Sequence, residues 1–298
     1  MGEIVKEDIA KIKKLLKDVV GADSYESLER LGGLTNHTYH ATLADGREYA
    51  VRIPGEGTEE MIIRSDEKVS TELACKLDVD AQMLYFGNDG SKVTEYIHDA
   101  VTMTPETLRD PARIRAVAKI YKTIHHCGVD TGVPFDVFDM AATYEKVIND
   151  LKVPMFEDYP EQKSKVMAIK AQMDKAVDAP LVPCHNDPLC ANWVEGNGRL
   201  YLIDWEYAGM NDGMWDVSDI SIEAEYGPAE DEMILTEYLE RKPTVTDKKH
   251  FLANKIYVDY LWTLWAKTRV PFSGQDMEDW AVERYARMKK NIKAFEAL

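Results

Sequence analysis

CHNDPLCANWVEGNGRLYLID, residues 184–204, is the stretch that decides the fold of this chain. Trp193-Val194 is predicted to form one strand, Gly196-Asn197-Gly198 a tight turn, and Leu200–Ile203 the returning strand. A hairpin brings the outer ends of its two strands together. The residues that flank this hairpin are therefore expected to lie close to one another.

Three residues with oxygen-bearing side chains flank the hairpin: Asp187, Asn192 and Asp204. We expect them to converge on one point. Two carboxylates and an amide oxygen suit Mg²⁺, a hard cation that prefers oxygen ligands and substrate phosphates. The sequence therefore predicts a magnesium site here.

The spacing of these residues is that of a catalytic loop. The pattern is His-x-Asp-x-x-x-x-Asn, beginning at His185, and Asp204 follows on the next strand. Kinases use this arrangement for phosphoryl transfer. Asp187 would accept the proton of an attacking hydroxyl, while Asn192 and Asp204 would hold Mg²⁺ on the nucleotide phosphates.

Two alternatives exist for the same segment. It could be a polar loop whose Asp and Asn side chains only satisfy nearby backbone groups. It could also hold zinc through Cys184, His185 and Cys190, although the CxxC pairing typical of zinc sites is missing. Three polar residues at kinase spacing around a hairpin favour the catalytic loop.

Composition favours a globular, acidic protein. The chain has 298 residues, 45% of them hydrophobic, and its 53 Asp and Glu outnumber 36 Lys and Arg, giving a net charge of −17. A nucleic-acid partner is not expected, whereas the surplus of acid suits a cationic substrate.

Four cysteines without a spaced framework indicate reduced thiols and a cytoplasmic protein. The charged N-terminus is unlike a signal peptide, and no apolar run approaches the length of a membrane span.

The sequence pattern at the beginning of the chain is typical of a small α+β region. Residues 3–20 form a predicted amphipathic helix that ends at Gly21, and short antiparallel strands follow. At the tip of the first hairpin, the backbone around Gly33, Thr35 and Asn36 could approach phosphates, as the Gly-rich loop of kinases does. A plain turn is the alternative, because the sequence matches neither GxGxxG nor a Walker A motif.

The motifs HNDPLCANW and LIDWEYAGMNDGMWDVSDI resemble those of the choline/ethanolamine kinases, within the wider group that includes aminoglycoside phosphotransferases. The resemblance runs from about Leu31 to near the C-terminus and is closest to the bacterial choline kinases. It implies an α+β, two-lobed protein-kinase-like fold. Residues 1–97 would form a small antiparallel-sheet lobe that binds nucleotide, and residues 98–298 a larger, mostly helical catalytic and substrate lobe.

The resemblance also implies a nucleotide site. Arg52 stands where protein kinases have Lys, a departure that agrees with choline kinases, and a guanidinium pairs well with phosphate oxygens. Glu67 is the predicted carboxylate that orients Arg52, with Glu72 as the alternative. By resemblance, the strand beginning at Lys92 leads to the hinge, where backbone groups near Glu95 and Ile97 would bind adenine.

Three tryptophans follow the predicted catalytic loop. Trp262 and Trp265 are three residues apart on a predicted helix and share a face, and Trp280 comes later. Aromatic residues at this spacing usually belong to a core. The family, however, builds its choline pocket from a Trp-x-x-Trp helix and a later aromatic residue, and a quaternary ammonium binds by cation–π contact. We therefore favour a cage.

The acidic run after Asp204 supplies further candidates. Glu206 and Glu223 are predicted substrate contacts, whereas a solvated acidic face would account for most of the run. Asp216 matches a family position that holds the catalytic loop.

The expected function is transfer of the ATP γ-phosphoryl group to choline with Mg²⁺. The alternatives are a kinase of ethanolamine or another small alcohol, an aminoglycoside kinase, or an inactive nucleotide-binding regulator. The sequence makes no prediction about oligomeric state.

Overall fold

The structure, a computed structural model, describes residues 4–32, 36–55 and 62–298. Strands are concentrated in the first third of the chain and helices in the remainder, so the predicted α+β class is confirmed. A short 3₁₀ turn spans Cys190–Asn192. In chain order the other elements are α1 (Lys6–Val20), β1 (Ser27–Gly32), β2 (Asn36–Thr42), β3 (Glu48–Pro54), α2 (Arg64–Lys76), β4 (Met83–Phe86), β5 (Lys92–Glu95), β6 (Val101–Thr102), α3 (Pro105–Leu108), α4 (Pro111–His125), α5 (Val137–Asp150), α6 (Tyr159–Ala176), β7 (Leu181–Cys184), β8 (Trp193–Gly196), β9 (Arg199–Leu202), β10 (Gly209–Asp212), α7 (Met214–Glu223), α8 (Pro228–Leu239), α9 (Val245–Ser273) and α10 (Gln275–Ala297).

The chain forms two compact units. The first contains the described residues up to Met103 together with Ala191–Ala208, and the second contains Thr104–Cys190 and Gly209–Leu298. The sequence analysis placed a lobe boundary after residue 97 and gave all later residues to one lobe. The compact units divide differently, because β6 pairs with β8 and so ties the segment after β5 to the hairpin. The predicted functional boundary stays a prediction.

The first unit is built on a five-stranded antiparallel sheet with the strand order β1-β2-β3-β5-β4. One face of the sheet packs against α1 through Ile12 and Leu16, which are buried with Tyr39 and Val51. The predicted end of α1 is confirmed, because Gly21 adopts φ 73° and closes the helix with hydrogen bonds to Leu16 and Lys17. The sheet therefore holds β3 rigidly in its centre.

The hairpin predicted between Asn192 and Asp204 is present as β8 and β9. Gly196 pairs with Arg199, so the turn consists of Asn197 and Gly198, both with positive φ (48° and 77°). This is the conformation that an Asn-Gly pair favours in a two-residue hairpin. Asn197 also exchanges two hydrogen bonds with the backbone of His98, at 3.2 and 3.0 Å. The hairpin tip thus holds the segment that follows β5.

The second unit consists mainly of helices, with a two-stranded ladder of β7 and β10. The ladder pairs Cys184 with Gly209, which places the start of the 184–204 segment at the end of a strand. Among the described helices, none has the length and apolar character needed to cross a membrane.

Substitutions at two glycines of the hairpin separate the effect of steric crowding on stability from the effect of backbone strain. A Cβ at Gly196 would collide with Ile97 and lie 2.7 Å from the carbonyl oxygen of His98. At Gly198 a Cβ meets no atom within 4 Å, but φ is +77°. We expect Gly198→Ala to lower the free energy of unfolding by about 1 kcal/mol and Gly196→Ala by about 2–3 kcal/mol. Denaturant unfolding of both variants measures this, and a smaller loss for Gly196→Ala would contradict the packing described.

Candidate functional site

Arg52 is held at the centre of the first unit by a buried ion pair. It lies on β3, and its Nη2 is 2.5 Å from Oε1 of Glu67 on α2. The same guanidinium donates to the carbonyl of Gly90 from Nη2 at 2.9 Å and from Nε at 3.2 Å. Glu72 instead has a largely exposed side chain, 3.8 Å from Lys68. The carboxylate beside Arg52 is therefore Glu67, as predicted, and not Glu72.

A second arginine, which the sequence analysis did not identify, joins this pair. Arg64 Nη1 donates to Glu67 and to Glu206, both at 2.7 Å. Glu206 also accepts a hydrogen bond from the amide of Asn36 at 2.8 Å. Arg64 precedes Glu67 by three residues on a helix, a spacing at which opposite charges meet, so a local signal existed. Its contact with Glu206 had no such signal.

Asp204 completes a group of three carboxylates in the first unit. Oxygens of Glu67, Asp204 and Glu206 lie within 4.8 Å of one another. Oδ1 of Asp204 is buried and accepts no hydrogen bond from the described residues, and its ion-pair distance to Arg52 is 3.7 Å. Burial and the charge of Glu206 raise the pKa of Asp204 to about 6. A partly exposed carboxylate with one buried, under-satisfied oxygen among acidic neighbours fits a hard divalent cation.

The hairpin brings Asn192 and the residue before Asp204 together. The backbone N–H of Ile203 donates to the carbonyl oxygen of Asn192 at 2.9 Å. Asn192 is buried at the end of the 3₁₀ turn, and Asp204 adopts φ +70° just beyond β9. Both predicted metal ligands therefore belong to the first unit and flank one strand pair.

Asp187 belongs to the second unit, on a loop held by a single carboxylate. Asp216 on α7 accepts hydrogen bonds from the backbone N–H groups of His185 and Asn186, each at 2.8 Å. The indole of Trp215 donates to the carbonyl of Asn186 at 3.1 Å. Asp216 thus holds the loop, as the family resemblance implied. The role of Asp187 itself stays a prediction.

A buried histidine, His125, supports Asp216. His125 Nε2 lies 3.1 Å from Oδ2 of Asp216, and its Nδ1 lies 2.9 Å from the hydroxyl of Tyr238. His125 is 3% exposed and stacks on Tyr121. These contacts join α4, α7 and α8 behind the loop, so His125 has a structural role.

The zinc alternative does not fit the thiols. Cys184 donates to the carbonyl of Asn211 at 3.6 Å, and Cys190 donates to the carbonyl of Glu223 at 3.2 Å. Burial raises the pKa of the Cys190 thiol to about 12 and that of Cys184 well above its usual range. The two thiols therefore act as protonated donors to different strands or helices. All four cysteines are free.

The three predicted cage tryptophans lie together in the second unit. The ring centroids of Trp262 and Trp265 are 6.1 Å apart at 87°, and those of Trp265 and Trp280 are 5.9 Å apart at 77°. Trp262 is only 4% exposed, whereas Trp265 and Trp280 are partly exposed. Arg284 covers one face of Trp280 at 4.1 Å. Successive rings stand perpendicular, an arrangement that presents ring faces in different directions.

The remaining predicted residues divide between the units. Glu223, on α7, accepts a hydrogen bond from Arg284. Glu206 is part of the carboxylate group of the first unit, where its Oε1 is shared by Arg64 and Asn36, and its substrate role stays a prediction. The N–H of Glu95 donates to the carbonyl of Gln82 at 2.9 Å. Ile97 follows it, while Gly33 and Thr35 lie outside the described residues.

Comparison with known proteins places the chain in a family. The family model for choline/ethanolamine kinase matches residues 29–286. A choline/ethanolamine kinase family protein from Mesorhizobium loti is 30% identical, with a TM-score of 0.84 over 95% of this chain and 94% of that one. Choline kinase LicA from Streptococcus pneumoniae is 31% identical, with a TM-score of 0.82 over 97% and 100% of the two chains. Ethanolamine kinase 2 from Mus musculus is 27% identical over 275 residues, which is 83% of this chain and 71% of the mouse protein.

These likenesses confirm the predicted two-lobed, protein-kinase-like fold. The family model covers well over half of the chain. The chain therefore belongs to the choline/ethanolamine kinase family and is an ATP-dependent phosphotransferase with an alcohol acceptor.

Proposed function

We propose that this enzyme is a choline kinase, which transfers the γ-phosphoryl group of ATP to the hydroxyl of choline to give phosphocholine and ADP. The observation that carries the choice of substrate is the perpendicular set of Trp262, Trp265 and Trp280. A quaternary ammonium cannot donate a hydrogen bond, so ring faces are its natural partners. The resemblance to choline kinase LicA supports the same substrate.

In this proposal the first unit binds the nucleotide. Arg52, which Glu67 orients, would pair with phosphate oxygens, and a guanidinium can do so with two parallel hydrogen bonds. Gly33, Thr35 and Asn36 would lie along the phosphates. Adenine would contact the backbone near Glu95 and Ile97. Since the N–H of Glu95 already donates to Gln82, a contact at that residue would use its carbonyl oxygen.

Asn192 and Asp204 would hold Mg²⁺, and the under-satisfied Oδ1 of Asp204 supports this assignment. When bound, the ion would offset the negative charge that builds up on the phosphate oxygens during transfer. Glu67 and Glu206, whose oxygens lie near that of Asp204, would keep the surroundings of the ion acidic. The arginines beside them would limit the repulsion among these carboxylates.

Asp187 would orient the choline hydroxyl and accept its proton as the oxygen attacks phosphorus. Its loop is fixed through the hydrogen bonds from His185 and Asn186 to Asp216, which favours a constant position for the carboxylate. The negative charge of Glu223 would favour a cation near the three tryptophans. ATP consumption with a panel of amino alcohols and an aminoglycoside tests the function, and turnover of choline with the highest kcat/KM is expected.

Ethanolamine is the second candidate substrate, because the family and the mouse relative include ethanolamine kinase activity in their names. Its primary ammonium is strongly hydrated and would leave donors unpaired against ring faces. The tryptophans therefore favour choline. A higher kcat/KM for ethanolamine than for choline would reverse the order of the two candidates.

Replacing the proposed base should affect chemistry and not nucleotide binding. We expect Asp187→Asn to lower kcat by about 10²–10⁴-fold, because the positioned proton acceptor acts in the transition state. The KM for ATP should stay unchanged. Asp178→Asn, which removes the same charge from an exposed position, is the matched control. Near wild-type kcat in Asp187→Asn would remove this residue from the mechanism.

The metal assignment can be tested without disturbing the backbone. Asn tolerates the left-handed conformation that residue 204 adopts, so Asp204→Asn removes mainly the charge. We expect Asp204→Asn to raise the Mg²⁺ concentration needed for turnover strongly, and Asn192→Ala to raise it less, because a neutral ligand is lost. Titration of Mg²⁺ at saturating ATP measures both effects. Unchanged Mg²⁺ requirements in the two variants would refute the assignment.

The cage can be distinguished from a core through Trp265, which is more exposed than Trp262. Trp265→Leu keeps an apolar side chain but removes the ring, and we expect a loss of about 0.5–2 kcal/mol in choline binding, seen as a raised KM. Trp265→Phe should lose less, and the KM for ATP should stay constant. Trp262→Leu should raise the choline KM and also lower the melting temperature, because Trp262 is buried. If Trp265→Leu loses stability while the choline/ethanolamine preference is unchanged, the tryptophans are core residues.

A further inference from the structure

Asp219 is a buried carboxylate for which the described residues offer no hydrogen-bond donor. It lies on α7, one turn after Asp216 and one turn before Glu223, so the three acids share a face of the helix. Asp219 is 1% exposed, and neither of its carboxylate oxygens accepts a hydrogen bond from the described part of the chain. Buried carboxylates in proteins are normally paired. This one therefore calls for a partner that binds there.

Charged and titratable groups from α7, the catalytic loop, α10 and α4 lie near Asp219, and α9, which also packs against α7, contributes Asp259. On α7 they are Asp216 and Glu223, and the catalytic loop contributes Asp187. Arg284 of α10 is the cation, and Tyr121 of α4 is a buried phenol. Burial, followed by the charge of Glu223, raises the pKa of Asp219 well above its usual range, and Arg284 only partly opposes this.

The two terminal nitrogens of Arg284 are directed at other acids, and its Nε is buried without a hydrogen-bond partner among the described residues. It donates to Glu223, and its Nη1 is 3.5 Å from Asp259, a fully buried residue that Arg287 also binds at 2.7 and 2.9 Å. Asp219, Glu223 and Asp259 are thus three carboxylates beside two guanidinium groups. When Asp219 is ionised, this set has one negative charge in excess.

The same arginine connects the acids to the tryptophans. Arg284 lies over one face of Trp280, whose ring meets Trp265. A cationic substrate among these rings would be repelled by Arg284 unless the surrounding carboxylates more than offset its charge. Glu223 and Asp259 offset the two arginines, and Asp219, with Asp187 and Asp216 near it, supplies additional negative charge. Because it is enclosed, its field is weakly screened and extends across several ångströms.

We propose that Asp219 determines the specificity of this enzyme for a positively charged alcohol by acting as the counter-ion of the substrate's ammonium group. The inference rests on the proposed function and gives a role to Asp219, which has none in that function as described above. Because the carboxyl group of Asp219 is enclosed and accepts no hydrogen bond from the described residues, we infer that it holds a proton in the empty enzyme. Binding of the cation replaces that proton, which passes to the solvent, so binding releases a proton and strengthens as pH rises.

A binding experiment without turnover tests this directly. Choline is titrated calorimetrically into the enzyme with Mg²⁺ and an unreactive ATP analogue, in buffers of different ionisation enthalpy, at slightly acidic and at mildly alkaline pH. The wild type should release a proton on binding choline and bind it more tightly at the higher pH. It should release none on binding the neutral tert-butyl analogue of choline, in which carbon replaces the quaternary nitrogen.

Asp219→Asn keeps the shape of the side chain and removes its charge. We expect this variant to bind choline about tenfold more weakly at the higher pH, to release no proton and to bind the neutral analogue as the wild type does. Asp178→Asn should match the wild type in every measurement. Choline binding to the wild type without proton release, or an unchanged preference for choline over the analogue in Asp219→Asn, would overturn the inference. Proton release by the wild type on choline binding tests the inference even if Asp219→Asn does not fold.

Failure of this inference and failure of the proposed function have different outcomes. If the wild type phosphorylates choline but Asp219→Asn keeps its preference for the cation, only the role of Asp219 is wrong. If the wild type turns over no amino alcohol, the proposed function itself is wrong.

Discussion

The hydrogen bonds from two consecutive backbone amides to Asp216 fix the part of the chain on which this enzyme depends. The amides of His185 and Asn186 both donate to one carboxylate. Asn186 adopts φ +66°, a left-handed conformation that Asn tolerates better than most residues. The hydrogen bonds to Asn186 from Trp215 and Asn211 hold it in that conformation. Asp187, which follows directly, is therefore presented by a well-supported loop.

The first unit gathers opposite charges in a way that stability alone does not explain. Arg52 and Arg64 are each engaged with Glu67, and a buried ion pair contributes little because both charges lose their water. Removing either partner would nevertheless be costly, since the other charge would stay buried. Asp204 is the member left under-satisfied, which its raised pKa reflects. Such a cluster is better suited to binding a cation and phosphates than to stabilising the fold.

The sequence predicted the features that depend on neighbouring residues. The Asn197-Gly198 turn and the end of α1 at Gly21 have local signals, whereas the pairing of Arg52 with Glu67 was expected from the resemblance to the family. The contacts of Arg64 with Glu206, His125 with Asp216 and Arg284 with Glu223 join residues 142, 91 and 61 positions apart. No periodicity or spacing encodes such pairs. The division of the 184–204 segment between two compact units likewise follows from a long-range pairing, that of β6 with β8.

Part of the net charge of −17 is concentrated in one group of carboxylates in each unit. Each contains a group of carboxylates with one member whose pKa is raised: the partly exposed Asp204 in the first unit and the buried Asp219 in the second. In the proposed reaction a cation binds beside each of them, Mg²⁺ in one unit and the ammonium group of the alcohol in the other. Mg²⁺ would offset the repulsion between Asp204 and Glu206, and the ammonium group would take the place of the proton on Asp219. An uncharged alcohol could not replace that proton, so its binding would lack this electrostatic contribution.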